Sequence, residues 1–427
     1  MLIEVSVENF RSVKEEVTLS MLATSDDSLE ENLIKTKVLK KDSLLKSAVI
    51  YGPNASGKSN ILRALLFLKA LVQNSHNHQK GMGIHFSPFK LDKSFILKPT
   101  KLKVVFIKNN LKYVYGVSFN GEKIIDEFLY YYPSNKKKAV IFERHDTNKY
   151  NFTIDKSIQK FISQRTLDNV LYLSKSTQEK YEKTTAAFDW FKEILQGIGT
   201  EEINHLILTK FTVNLLSDPE IKKLILKALN EADFGIKDIA TSKKKIKVEE
   251  ISFPKDMPQE IKDLIFKGGQ ELEQTDLKMF HKVIDENDNS AAEAYLDIQE
   301  ESEGTKRFFS LIGPWIDALN KGIVLIVDEL EIKLHPFLNK FLIKLFHLNS
   351  QNKNNAKLIF TTHNTELLDQ KLFRRDQIWF TEKKPASGST DLYSLVEFSP
   401  RKDKDIKKGY LTGRYGALPF IREGKIF

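Results

Sequence analysis

Gly52-Pro53-Asn54-Ala55-Ser56-Gly57-Lys58-Ser59 decides how this sequence reads. Its spacing is G-x-x-x-x-G-K-[ST]. An apolar run, Ser47-Ala48-Val49-Ile50-Tyr51, leads into it, and a helical pattern from Asn60 to Leu71 follows. Strand, glycine loop and helix in that order form a phosphate cradle. Glycines let the backbone curl until its N–H groups point inward, and the helix start presents a positive end to an anion. Lys58 is placed to reach the β- and γ-phosphates of a nucleotide, and Ser59 to offer a hydroxyl to Mg²⁺. The expected ATP contacts in this stretch are Asn54, Gly57, Lys58, Ser59 and Asn60. A chance glycine loop before a helix is the bland alternative, and the strand on one side and helix on the other argue against it.

Further along, Ile323-Val324-Leu325-Ile326-Val327 runs into Asp328-Glu329. An apolar strand of this kind is buried and delivers both acids at its C-terminal end, where ligands bind in open parallel sheets. Asp328 is expected to hold Mg²⁺ and Glu329 to orient or deprotonate an attacking water. Alone, such a strand is common; beside a phosphate loop it becomes the second half of a site. His363 follows the next apolar strand, Leu358–Thr362, from which it can face the γ-phosphate, although a histidine there also suits an ordinary turn.

The remaining pattern organises the chain around these strands. Residues 2–10 alternate with period two, and residues 102–132 read as hairpins with turns at Asn109-Asn110 and Asn120-Gly121, the latter the stronger signal. From Ile158 to Ala232 the pattern is helical, and residues 241–300 are rich in Lys and Glu, with a helical stretch expected to end near Glu300. Strands and helices then alternate from 322 to 381, which suggests a mostly parallel sheet. The expected class is α/β. The expected parts are an N-terminal half-head at 1–150 with a β-hairpin subdomain, a mainly helical insertion at 151–300, and a C-terminal half-head at 301–427.

Composition bounds the function classes. The chain has 427 residues, 41% hydrophobic and 29% charged, with net charge +9. That rules out a disordered chain and allows two or three domains with a sizeable core. With no cysteine, disulfides and thiolate metal sites are excluded, and a reducing cytoplasm suits it. No apolar run approaches the roughly 20 residues of a membrane helix, so no membrane partner is expected. Residues 399–427 hold 8 Lys/Arg and 3 Asp/Glu with Tyr410, Arg414, Tyr415 and Phe420. Such a mixture suits nucleic acid, and equally a solvated face. His76, His78 and His85 read as a surface loop rather than a metal cluster.

The ordered motif set resembles the ABC-type ATPases of the SMC/RecF kind. Gly52–Ser59 matches their Walker A motif, Asp328-Glu329 Walker B, and Thr362-His363-Asn364 the switch histidine. Asn9-Phe10-Arg11-Ser12 is similar to their first-strand motif, which implies that Arg11 approaches the nucleotide. Glu301-Ser302-Glu303-Gly304-Thr305-Lys306-Arg307 resembles a degenerate signature motif. The chain is closer still to the stand-alone bacterial ATPases of the abortive-infection and RloA-like group, through residues 301–307, 328–336, 374–380 and 413–419. It departs from the pattern at Glu303, at Lys333 and in lacking a Q-loop glutamine near 90–106. Related nucleases of the OLD type append a Toprim domain, for which the chain after Phe380 is too short.

The resemblance implies catalytic roles for Glu329 and His363, and ATP contacts from Ser302 and Gly304 of a second copy. Ser302 and Gly304 open a helical run, Thr305 to Leu319, with a kink expected at Gly313-Pro314. A serine at a helix start is an anion site, or equally an ordinary N-cap. The family arrangement is a head-to-tail homodimer with each nucleotide between one loop and the partner's signature. Two functions follow as expectations. One is an ATPase sensor or regulatory subunit in bacterial anti-phage defence, acting on a separate effector protein. The other is a RecF/SMC-like DNA-maintenance ATPase. The absence of sustained heptads speaks against long SMC arms.

Overall fold

The computed structural model describes residues 1–133, 137–200, 202–247, 271–282, 293–401 and 404–419. Strands β1 (Leu2–Glu8) and β2 (Val17–Ser20) open the chain, followed by a small hairpin, β3 (Leu33–Lys35) and β4 (Ser43–Leu45), and by β5 (Ser47–Tyr51). After helix Lys58–Asn74 come β6 (Thr100–Lys108), β7 (Leu111–Phe119), β8 (Ile124–Tyr132), β9 (Ala139–His145) and β10 (Lys149–Asn151). Short helices lead to β11 (Leu195–Ile198). Then come β12 (Ile236–Lys247), β13 (Glu271–Lys282) and β14 (Glu293–Asp297). The last strands are β15 (Val324–Val327), β16 (Lys357–Thr361), β17 (Ile378–Lys383) and β18 (Thr390–Ser394).

Two sheets make the ATPase-type head. The six-stranded sheet has the order β11-β15-β16-β5-β17-β18, parallel except for β18. Its central strands β15, β16 and β5 are buried along their whole length and are largely apolar, because both faces are covered. The seven-stranded sheet, β10-β9-β8-β7-β6-β1-β2, is antiparallel. Its period-two residues Val104, Phe106, Tyr113, Tyr115 and Val117 are buried. They share one core with Ile61, Leu65, Leu68 and Val72 of helix Lys58–Asn74, whose i, i+3, i+4 spacing makes a single apolar stripe. The α/β head with an added antiparallel sheet is thus the fold that the motifs led one to expect.

The turn between β6 and β7 is Asn109-Asn110, both in the left-handed region (φ 51° and 57°), as a type I′ hairpin requires. Asn120-Gly121, the stronger signal by sequence, adopts no left-handed residue. Asn120 Oδ1 instead accepts the N–H groups of Glu122 and Lys123, both at 2.9 Å. These side-chain bonds reinforce a turn that the Asn120 N–H closes to the Lys123 carbonyl at 3.1 Å, and β7 and β8 pair as the expected hairpin.

The middle of the chain differs from the expected helical insertion at 151–300. Two compact units divide the chain, one of Met1–Thr200 with Asp317–Phe427 and one of Glu201–Ile316. Helices Lys156–Ser163, Tyr172–Gln178 and Glu182–Asp189 belong to the first unit, where Ile162, Leu171, Tyr172 and Phe191 join its core. In the second unit the described parts of the Lys- and Glu-rich stretch form an antiparallel sheet, β12-β13-β14, not helix. Lys and Glu are good helix formers. Here the register sets Lys245 opposite Glu273 and Lys247 opposite Glu271, and Ile236, Ile239, Leu277 and Met279 are buried. Cross-strand pairing and burial override propensity. Lys243–Lys245 lie on β12. Residues 283–292, within the helix expected to reach Glu300, lie outside the described residues, as does Phe420 of the basic C-terminal stretch.

The Arg374-Arg375-Asp376-Gln377 segment is structural. Arg374, fully buried, donates to both carboxylate oxygens of Asp376 (3.0 and 2.8 Å) and to the carbonyls of Asp26 and Ser28. Asp376 also accepts from the N–H and hydroxyl of Thr24. Arg374→Ala leaves that carboxylate uncompensated, so a loss of about 3–5 kcal/mol is expected in denaturant unfolding. A midpoint unchanged from the parent would show that the network contributes little.

Candidate nucleotide site

The phosphate loop leaves β5 at Tyr51 and is pinned by the hydroxyls of Thr381 and Thr390. A Cβ on Gly52 would stand 2.3 Å from the Thr381 carbonyl oxygen, and one on Gly57 (φ 108°) would stand 2.1 Å from Thr390 Oγ1. Only glycine allows so close an approach. Ser56 Oγ hydrogen-bonds Thr381 Oγ1 at 2.7 Å, and Thr390 Oγ1 lies 2.7 Å from both the Ser56 carbonyl and Ser12 Oγ. No side chain caps the start of helix Lys58–Asn74, so its positive end faces the loop's interior. Lys58 is buried and donates to the Gly52 and Pro53 carbonyls at 2.8 and 3.2 Å. Burial lowers its pKa, against the opposing pull of Glu329, Glu331 and Asp328.

β15 and β16 bring the acids to the same edge. Asp328 Oδ1 accepts from Ser59 Oγ at 2.8 Å and from Thr361 Oγ1 at 2.7 Å, while Arg63 stands 3.9 Å from Oδ2. Thr361 Oγ1 in turn accepts the Glu329 N–H at 2.7 Å. Glu329 holds a left-handed backbone (φ 50°), a strained conformation that the neighbouring bonds impose. His363 is exposed at the end of β16. Desolvation and then the Lys58 charge hold its pKa below the ordinary histidine range.

Lys58, Ser59, Asp328, Glu329 and His363 therefore converge, as their order in the sequence suggested. Asn54 is exposed on the loop. Asn60 points its amide to Ser12 Oγ at 2.7 Å and ties the helix to the first-strand motif. Arg11 is exposed (φ 52°) and, with Ser12, Phe89, Lys90 and Lys383, lines a cavity of about 400 Å³. Ser302 and Gly304 belong to the second unit. There Ser302 Oγ accepts the Thr305 N–H at 3.0 Å and caps helix Glu303–Lys321, while remaining exposed. That helix carries Pro314 inside it.

Sequence reasoning missed Thr361, Thr381 and Thr390. Thr361 could have been found from its place beside His363; the other two carry no local signal. Gly413-Arg414-Tyr415-Gly416 is packing, with Tyr415 and Tyr410 stacked on Phe380 and Tyr410 also against Tyr51. His76 and His78 bond Ser174 and the Asn169 carbonyl.

The donor set fits a nucleotide with a divalent cation. A hydroxyl and a carboxylate 2.8 Å apart are hard oxygen ligands of the kind Mg²⁺ takes, and the glycine cradle above them has no room for side chains.

A family model described as "AAA domain, putative AbiEii toxin, Type IV TA system" matches residues 47–369. The chain belongs to this family. The match begins at β5 and includes the phosphate loop, Asp328-Glu329 and His363. No curated protein sequence matches the chain. Among solved structures it is similar to the SMC head domain from Thermotoga maritima (12% identity, 92% of this chain and 98% of that one, TM-score 0.41). Two others are RecF, in a RecF-ATPrS structure (13%, 92% and 98%, TM-score 0.36), and cbiO1 from Clostridium perfringens (12%, 96% and 96%, TM-score 0.34). Such distant likenesses add nothing to what the family match and the sheet order establish. Among the described residues, no helix is long and apolar enough to cross a membrane.

Proposed function

We propose that this protein binds and hydrolyses ATP with Mg²⁺, and that it is the sensor or regulatory subunit of a bacterial anti-phage, abortive-infection type of system, acting on a separate effector. The observation that carries the ATPase reading is the bonded set Ser59–Asp328–Thr361–Glu329 directly beside Lys58 and the loop. The family's description, which names a toxin–antitoxin system, supports the defence reading.

The residues divide the work. Lys58 and the loop amides bind the β- and γ-phosphates. Ser59 and Asp328 would hold the metal, which when bound supplies charge neutralisation across the phosphate oxygens. Glu329 orients the attacking water and accepts its proton. His363, whose pKa desolvation and the Lys58 charge lower, approaches from the end of β16. The direct test is phosphate release from ATP, expected to require Mg²⁺ and to stop with chelator. Phage-challenge assays with and without neighbouring genes, and partner capture from the native host, test the defence role. Protection that is indifferent to this gene would overturn that role.

Each nucleotide is closed by a second copy. The exposed Ser302 and the start of helix Glu303–Lys321 serve the partner's loop, so two-fold symmetry makes two identical sites. Ser302→Arg protein and Lys58→Ala protein should each be inactive. Mixed, they leave one intact site per heterodimer, with Lys58 from one chain and Ser302 from the other, and partial activity should return. Heterodimers that form and stay inactive would refute this arrangement.

A further inference from the structure

The loop after β15 carries a third acid, Glu331, which neither binds the metal nor activates water in the scheme above. Its Oε1 accepts the backbone N–H of His363 at 2.5 Å, a charge-assisted bond of the strong kind. Its Oε2 is buried and has no partner among the described residues. The carboxylate acts electrostatically on Lys58, His363 and Tyr51, the residue just before the phosphate loop. The bond to His363 is the last of a series between two loops: Thr361 Oγ1 to Asp328 Oδ1, Glu329 N–H to Thr361 Oγ1, and Leu330 N–H to the Thr361 carbonyl at 3.2 Å.

The first three of these bonds fix the end of β16. None of them reaches His363, which leaves the sheet two residues beyond Thr361 and is otherwise exposed. The residues on either side are held by the Thr362 N–H on the Ile50 carbonyl (3.2 Å) and by the Tyr51 hydroxyl on the Asn364 carbonyl (3.3 Å), while the Glu331 bond takes the N–H of His363 itself and orients that peptide, and with it the imidazole, relative to Lys58 and the acids. A glutamate that merely capped a surface turn would bond a near neighbour; this one bonds a residue 32 positions away and buries its other oxygen at the site. We infer that Glu331 is a positioning residue for ATP hydrolysis, acting through the backbone of His363. This rests on the ATPase reading above.

The test uses the full chain and compares Glu331→Ala, Glu331→Gln, His363→Ala and Glu331→Ala/His363→Ala. Misplacing a reacting group costs about 10–10²-fold, so Glu331→Ala should lower kcat by that factor. KM for Mg-ATP should stay within about threefold, because the phosphate contacts are untouched. Glu331→Gln keeps an oxygen that can accept the His363 N–H and should retain kcat within about threefold of the parent. The double variant should be no slower than His363→Ala, since both substitutions remove one function. Fluorescent-ATP binding and thermal melting show that the variants are folded. An unchanged kcat for Glu331→Ala, an effect confined to KM, a Gln variant as slow as the Ala variant, or additive losses in the double would each overturn the inference. No phosphate release by the parent protein would overturn the ATPase reading instead, and this one with it.

Discussion

Lys58→Ala protein should bind Mg-ATP too weakly to measure at micromolar concentration and release phosphate at least about 10²–10³-fold more slowly than the parent, the cost of losing one preorganised donor to developing charge. The ammonium is buried at the mouth of the loop and, among the described residues, bonds the Gly52 and Pro53 carbonyls. Both are carbonyls of the loop, so the group is held where a phosphate would meet it. Burial disfavours its charge, and Glu329, Glu331 and Asp328 oppose that cost in part, with no ion pair to Lys58 within 4 Å among the described residues. Removing the side chain therefore takes away phosphate binding without breaking a salt bridge, and the variant should melt close to the parent. Titration of a fluorescent ATP analogue and a phosphate-release assay measure the two effects separately. Undiminished phosphate release from purified Lys58→Ala protein would end the assignment of this loop as the nucleotide site.

Glu329→Gln should separate binding from turnover. The amide is nearly isosteric, and the bond that fixes this residue, from its backbone N–H to Thr361 Oγ1, does not involve the side chain. Ser59, Asp328 and Lys58 keep their places, so ATP affinity should be preserved or increased. The amide cannot accept a proton from water, and hydrolysis should fall by about 10²-fold or more. ATP should then remain bound after rapid desalting, and the closed homodimer should persist longer in size-exclusion runs with Mg-ATP than with Mg-ADP, which lacks the γ-phosphate. Turnover equal to the parent would remove Glu329 from the mechanism and leave Glu331 as the carboxylate to examine next.

By itself, the sequence determined the parts that obey local rules. Gly52–Ser59 is legible because a phosphate cradle needs glycine at fixed places and a helix directly after, and both are local facts. Asp328-Glu329 is legible because a strand buried on both faces must read as an unbroken apolar run, and its polar end marks the sheet's edge. The hairpins at 102–132 follow from period-two alternation. Tertiary structure decided the rest. Thr381 and Thr390 pin the phosphate loop only because β17 lies beside β5 in the sheet and β18 pairs with β17, more than three hundred residues away in the chain. Residues 236–247, 271–282 and 293–297 gained strands from partners that no short window contains, against the helix propensity of their Lys and Glu. The helices between 156 and 189 joined the first unit because Tyr172 and its neighbours found an apolar core there. Glu331 looked like one more charge after a strand; its bond to His363 exists because parallel pairing of β15 and β16 sets their C-terminal ends side by side. Glycine geometry and alternation act over a few residues and leave their mark in sequence, whereas hydrogen bonds across a sheet depend on which strands become neighbours, and that is fixed only when the chain folds.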